Sequence, residues 1–231
     1  MSATPLSLIL SRLQQLAAGT GRPAAQLLAV SKTQPAASVA ALAAQGQRAF
    51  GENYVQEALA KIAELADLSL EWHLIGHLQS NKAELAASHF DWVHSVDRDK
   101  LVDALARYRP AAATPLNVLI QVNIDDEHSK HGCTPSQVMP LAARIAAQPR
   151  LRLRGLMAIP AAHDDPQLSL PAFQAMAALQ RQLQASYPQA DTLSMGMSAD
   201  YPQAVSAGAT LVRVGSALFG ARPGKPAPAQ N

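Results

Sequence analysis

Eight short apolar runs recur along the chain, and an alanine- and leucine-rich segment with helical spacing follows most of them. The runs lie at 26–31, 48–51, 71–76, 92–96, 117–123, 151–159, 192–195 and 211–215. Each has the length of a strand, and most stop at a Gly, Ser or Asn that favours a turn. Between them, Val39, Leu42 and Ala43 stop at Gly46, and Val55, Leu59, Ile62 and Leu65 mark one helical face. Leu101, Leu105 and Tyr108 mark the next, Val138, Leu141 and Ile145 another, and Phe173, Met176, Leu179 and Leu183 a longer one. Strands alternating with helices predict right-handed βαβ units and a parallel sheet. An open doubly wound sheet has the same alternation. Eight units in 231 residues favour the closed form, a single (β/α)8 barrel of the α/β class.

One helix is left over before the first run. Thr4 and Pro5 read as its N-cap and first helical position, and Leu6, Ile9, Leu10, Leu13 and Leu16 give it an apolar face to cover one end of the barrel. The barrel is expected over residues 1–222. The Pro-rich stretch at 223–231 is expected to be a disordered tail.

Hydrophobic residues make up 48% of the chain and aromatics only 4%, so Leu, Val, Ile and Ala must build the core. The formal charge of +2 comes with no basic tract, which argues against a nucleic-acid partner. Cys133 is the sole cysteine, so no disulfide forms within the chain and a reducing compartment is expected. Its expected role is that of a buried filler rather than a reactive thiol. The start, Met1-Ser2-Ala3-Thr4-Pro5, lacks the basic region of a signal peptide. No run approaches the roughly 18 apolar residues of a membrane span. A cytoplasmic protein without a membrane anchor is expected.

In a barrel the loops after all eight strands share one face, so residues far apart in sequence converge there. Lys32 ends the first run. A desolvated lysine amine can lose its proton and attack a carbonyl to form a Schiff base; the plainer reading is a surface lysine at a strand end. The second run leads into Gly51-Glu52-Asn53-Tyr54, and the third into a polar cluster holding His73, His77 and Lys82. The seventh gives Met195-Gly196-Met197-Ser198-Ala199-Asp200, with Ser198 as the expected N-cap of a helix through Ala204 and Val205. The eighth gives Arg213-Val214-Gly215-Ser216.

Glycine and serine after strands seven and eight suit a phosphate, because glycine admits close backbone approach while N–H groups and hydroxyls donate to the anion. A strand-end lysine beside such loops predicts a ligand with both an aldehyde and a phosphate, as in pyridoxal 5'-phosphate (PLP). Arg213 shares the parity of Gly215 and is expected to point inward, where a cation donates to a pyridine nitrogen and opposes its protonation. The alternative is a salt-bridged barrel arginine. His73, His77 and His94 lack a carboxylate or thiol pattern that would complete a metal site, so no metal is expected. His128, Lys130, His131 and Gly132 read as a polar loop, with Asp125, Asp126 and Glu127 solvated.

Taken in order, seven segments resemble one family. They are LLAVSKTQP at 27–35, FGENYVQEALAK at 50–61, WHLIGHLQSNK at 72–82, LNVLIQVNI at 116–124, LRGLMAIP at 153–160, LSMGMSADY at 193–201 and LVRVGSALFGAR at 211–222. The family is that of the pyridoxal phosphate homeostasis proteins, barrels similar to the N-terminal domain of bacterial alanine racemase. The resemblance implies that Lys32 holds PLP as a Schiff base, that Ser198, Gly215 and Ser216 hold its phosphate, and that Arg213 faces the pyridine nitrogen. Asn53 and Met197 complete the implied cofactor-binding set. Two positions depart from the family pattern: His77 stands where proline is common, and Pro202 where an acidic residue is common.

The implied function is binding, buffering and delivery of PLP, without strong catalytic activity. PLP-dependent apoenzymes are the expected partners, and a monomer the expected state. The competing function is a PLP-dependent amino-acid racemase, which needs an acid/base group on each face of the substrate. Lys32 serves one face. In the racemase the opposing tyrosine comes from a further domain and the partner subunit, whereas this chain ends soon after the eighth run. Tyr54, Tyr108, Tyr187 and Tyr201 include no evident replacement.

Overall fold

All eight runs form strands: β1 (Gln26–Val30), β2 (Ala49–Glu52), β3 (Glu71–Leu74), β4 (Trp92–Val96), β5 (Leu116–Val122), β6 (Leu151–Ala158), β7 (Thr192–Ser194) and β8 (Leu211–Val214). Each pairs in parallel with the next, and β8 pairs back onto β1 with Leu27 opposite Val212 and Ala29 opposite Val214. The sheet is therefore the closed α/β barrel that the alternation predicts. The computed structural model describes residues 3–125 and 131–220. The expected tail at 223–231, and Asp126, Glu127, His128 and Lys130 of the expected polar loop, lie outside the described residues.

The helices are α1 (Pro5–Ala17), α2 (Ala36–Ala44), α3 (Val55–Glu64), α4 (Ala83–His89), α5 (Asp99–Tyr108), α6 (Val138–Ala146), α7 (Leu170–Ser186), α8 (Tyr201–Ala207) and α9 (Ser216–Phe219). Helix α1 begins as the sequence predicts, with the Thr4 hydroxyl accepting from the Ser7 N–H at 3.2 Å. It buries Leu6, Ile9 and Leu13 but leaves Leu10 exposed. It runs beside α8 and α9 rather than lying across one end of the barrel, and only Leu16 and Ala17 of its last turn reach the N-terminal mouth. The expected cover over one end is thus replaced by a helix in the outer ring. Helix α4 has no counterpart in the sequence reading, because its buried face is Ala83, Ala86 and Ala87. Three methyl groups give little hydrophobic contrast, yet they let the helix sit close to the sheet.

Between strands and helices lies an apolar layer in which Phe50, Phe90, Phe173, Leu74 and Leu101 are fully buried. Burying a side chain of this size contributes about 1.5–3 kcal/mol, so this layer holds the fold. The inside of the barrel is different. Branched aliphatic side chains usually fill it, but here Leu28, Ile75 and Leu211 on one side and Trp92, Leu119 and Met157 on the other enclose four buried polar groups. These are His73, His94, Ser194 and Arg213. Buried polar groups need partners, and these four find them largely in one another.

Candidate functional site

Lys32 lies in the turn just past β1 and is half-buried. The residue after it, Thr33, has φ of 64°, a left-handed conformation that a β-branched side chain seldom adopts. A hydrogen bond from its N–H to Glu57 Oε1, at 2.5 Å, holds it there. The residue before it, Ser31, donates its hydroxyl to Glu52 Oε1 at 2.6 Å and accepts from Lys61 Nζ at its carbonyl at 2.7 Å. Lys61 also reaches Glu52 at 2.8 Å and Glu57 at 2.9 Å. One buried lysine and two carboxylates thus fix both neighbours of Lys32. Burial pushes the Glu52 carboxyl above its ordinary range, against the opposing pull of Lys61 and Ser31. Sequence reading missed this clamp. Its signals were present: Glu57 and Lys61 are spaced i,i+4 on α3, and Glu52 ends the strand beside β1.

The loops after β7 and β8 face this turn. Gly196 has φ of 88°, and a Cβ there would lie 2.5 Å from Ala204 Cβ, so only glycine lets the chain fold back over α8. Ser198 is not the N-cap of that helix. Asp200 occupies the cap position and accepts from the Met197 N–H at 2.7 Å. The Ser198 hydroxyl instead accepts from the Gly215 N–H at 3.4 Å, which ties the seventh loop to the eighth. Pro202 falls in the first turn of α8. Its missing N–H costs nothing there, so the departure from the family pattern is accommodated. His77, the other departure, is exposed and stacks on His131 with ring centroids 3.6 Å apart.

Arg213 points into the barrel, as its parity predicts. Its Nη1 donates to the Ser194 carbonyl at 2.8 Å and the Ser194 hydroxyl at 2.7 Å, and its Nη2 to the Ala158 carbonyl at 2.8 Å. These bonds use three of the five N–H groups of a guanidinium. Among the described residues no carboxylate forms an ion pair with it, which removes the salt-bridged alternative. Burial lowers its pKa to about 10, with the negative charge of Asp200 acting the other way.

Lys32, Asn53, Met197, Ser198, Arg213, Gly215 and Ser216 all line one cavity of about 310 Å³ at the C-terminal ends of the strands. Val30, Ile75, Ile159 and Phe219 add apolar wall. Lys32 and Arg213 are the titratable side chains among its lining residues. A larger cavity of about 660 Å³ opens at the opposite mouth, beside Gln26, Glu71, Trp92 and Thr192 at the strand starts. Size does not decide between them. In such barrels ligands bind at the C-terminal ends, and there the amine, the hydroxyls and the buried cation converge.

Cys133 is buried, and burial pushes its thiol up to about 12. Among the described residues no group of three or more His, Cys, Asp or Glu side chains is placed to hold a metal ion. None of their helices is long and apolar enough to cross a membrane.

A parallel barrel that gathers a lysine after its first strand and an arginine with two Gly/Ser turns from its last two is, by fold and site, a barrel of the alanine racemase N-terminal type. The family profile described as alanine racemase, N-terminal domain, matches residues 6–223. A Vibrio cholerae protein named pyridoxal phosphate homeostasis protein is 52% identical over 208 residues, covering 88% of each chain. Its namesake in Pseudomonas aeruginosa is 50% identical over 222 residues, covering 95% of each. The structure of PipY from Synechococcus elongatus PCC7942 with PLP bound superimposes with a TM-score of 0.82 at 39% identity, over 94% of this chain and 98% of that one. The chain belongs to the alanine racemase N-terminal domain family and, within it, to the pyridoxal phosphate homeostasis proteins.

Proposed function

We propose that this protein binds PLP reversibly at Lys32 and serves in cofactor homeostasis, buffering PLP in the cytoplasm and handing it, as a monomer, to apoenzymes. The carrying observation is that Lys32, Arg213 and the two Gly/Ser turns border a single cavity. The donor set suits the ligand. PLP supplies an aldehyde, which condenses with a primary amine, and a dianionic phosphate. Lys32 offers the amine. Ser198 and Ser216 offer hydroxyls and Gly215 a close backbone approach, while Asn53 and Met197 line the walls. Arg213 keeps a fixed positive charge toward the cavity, which opposes protonation of a ring nitrogen and weakens the ring's pull on electrons. The names of the relatives and the PLP in PipY support the same reading.

Holding the cofactor without strong catalysis follows from the lining. Racemisation requires two groups that exchange protons, one on each face of the substrate. Among the described residues that line the cavity, Lys32 is the one group able to do so, since Arg213 retains its proton near neutrality; neither Tyr54 nor Tyr201 lines it.

Purified protein loaded with PLP is expected to show a visible absorption band that borohydride fixes covalently and that Lys32→Ala abolishes. A normal fixed band in that variant would remove Lys32 from its role. Incubating holoprotein with amino acids in deuterated water tests the carrier reading, and enzyme-like Cα exchange would replace it with the racemase. Transfer to a cofactor-free enzyme, with a trap for free PLP present, tests direct delivery.

A further inference from the structure

Four hydrogen bonds in series run through the inside of the barrel. Arg213 Nη1 lies 2.7 Å from Ser194 Oγ, and Ser194 Oγ lies 3.2 Å from His94 Nδ1. His94 Nε2 lies 2.9 Å from His73 Nδ1, and His73 Nε2 lies 2.7 Å from Glu71 Oε1. Strands β4 and β7 are not neighbours in the barrel, so the bond between His94 and Ser194 crosses its interior. The series starts at the cavity that holds Lys32 and ends at the opposite mouth, where the Glu71 side chain is 49% exposed.

With both imidazoles neutral, the two ends determine every proton between them. A guanidinium only donates and a carboxylate only accepts. Ser194 Oγ takes a hydrogen bond from Arg213 and gives its own proton to His94 Nδ1. Neutral His94 then carries its proton on Nε2 and donates to His73 Nδ1. His73 carries its proton on Nε2 and donates to Glu71. All four bonds point the same way, from the buried cation to the carboxylate. Burial pushes both imidazoles toward the neutral form, His94 well below its ordinary pKa. The hydrogen bond from His73 holds Glu71 below the usual carboxylate range, against partial burial.

Other charged groups stand around the series. Trp92 stacks on His73 with centroids 5.1 Å apart, and Arg154 lies over the Trp92 ring at 4.8 Å. Arg154 is itself paired with Asp191 at 2.9 Å. Asp91 acts on His73, and Asp200 acts on Arg213. A buried cation without a carboxylate beside it needs compensation. The carbonyls of Ser194 and Ala158 supply part of it, and the aligned series links Arg213 to the charge of Glu71.

We propose that Glu71, His73, His94 and Ser194 are positioning residues for Arg213, through which a carboxylate at one mouth of the barrel fixes the cation that faces the ligand at the other. The inference rests on the reading of the smaller cavity as the PLP site.

Two measurements test it, and only one needs PLP. In apoprotein carrying ¹⁵N-labelled histidine, NMR is expected to show both His73 and His94 neutral with the proton on Nε2, and Glu71→Gln is expected to shift the His94 resonances. A cationic His94, or one protonated on Nδ1, overturns the series. In holoprotein, Glu71→Gln and Ser194→Ala are expected to weaken PLP binding on the order of tenfold, the effect of losing a charge-assisted hydrogen bond. Both also shift the visible absorption maximum, and Ser194→Thr restores it. Asp191→Asn removes a carboxylate from the same mouth outside the series and is expected to leave both readouts at the parent values. Equal effects from Asp191→Asn and Glu71→Gln, or none from Glu71→Gln and Ser194→Ala, overturn the proposal. If the parent binds no PLP, the reading of the cavity fails, and the NMR result still decides the series.

Discussion

Lys61 and Glu52 form an ion pair at 2.8 Å directly beneath the turn that presents Lys32, and both side chains are withdrawn from water. Neither touches the cavity, yet both of the residues flanking Lys32 are hydrogen-bonded within this cluster. The turn that carries Lys32 is therefore fixed from below.

Breaking the pair from one side should be expensive. Lys61→Met leaves a buried carboxylate uncompensated and is expected to cost about 3–5 kcal/mol, with weaker PLP binding as the turn loosens. The double variant Glu52→Gln/Lys61→Met removes both charges and is expected to recover most of the stability. Denaturant unfolding of the three proteins checks this, and a double variant as unstable as the single one would sink it.

The pH dependence of the same pair has a definite sign. The Glu52 carboxyl titrates above its unfolded value of 4.5 in the folded state, with burial as the main cause. For a raised pKa the stabilising contribution is full below the unfolded value and is lost as pH rises through the folded one. Parent protein is thus expected to lose ground against Glu52→Gln as pH climbs from 4.5 through that raised value. Unfolding free energies of both across that window decide it; a parent that gains on the variant would show that the pair lowers the carboxyl instead.

Gly196 shapes the seventh loop, which in the proposed reading meets the phosphate of PLP. Gly196→Ala forces a Cβ to within 2.5 Å of Ala204 Cβ at a φ of 88°, so the seventh loop must move. The variant is expected to lose on the order of 1–3 kcal/mol of stability. Its affinity for PLP should fall much more than its affinity for pyridoxal, which lacks the phosphate. Equal losses for the two ligands would detach this loop from phosphate binding.

Cys133 should be inert. With its thiol pushed up to about 12 it remains protonated at neutral pH, and its burial blocks access. Thiol reagents are expected to label the protein only after unfolding. Rapid labelling of the native state would contradict the burial.

The barrel was legible because strand-length apolar runs and helical spacing alternate eight times, and the lysine, arginine and Gly/Ser turns stood at the ends of those runs. Arg213 could be aimed inward from parity alone. That Asp200 rather than Ser198 caps α8 is not legible, because Ser and Asp both cap helices and only the conformation of the turn chooses between them. Nor is the path of α1 legible, since an apolar face says that a helix packs but not on what. The series from Glu71 to Arg213 left no trace in the sequence. Its partners sit on β3, β4, β7 and β8, and contacts across a barrel interior follow no fixed spacing.

The pocket straddles the seam of the barrel. Lys32 follows the first strand and Arg213 belongs to the last, and these strands meet only when β8 docks on β1. A growing chain therefore has no binding site until its final strand has been made and closed. On the proposed reading, PLP in this cavity would bridge the pairing with the largest separation in sequence, and a ligand specific for the native state stabilises that closure. A chain stalled short of β8 would lack Arg213 and the Gly215–Ser216 turn, and so one whole side of the cavity.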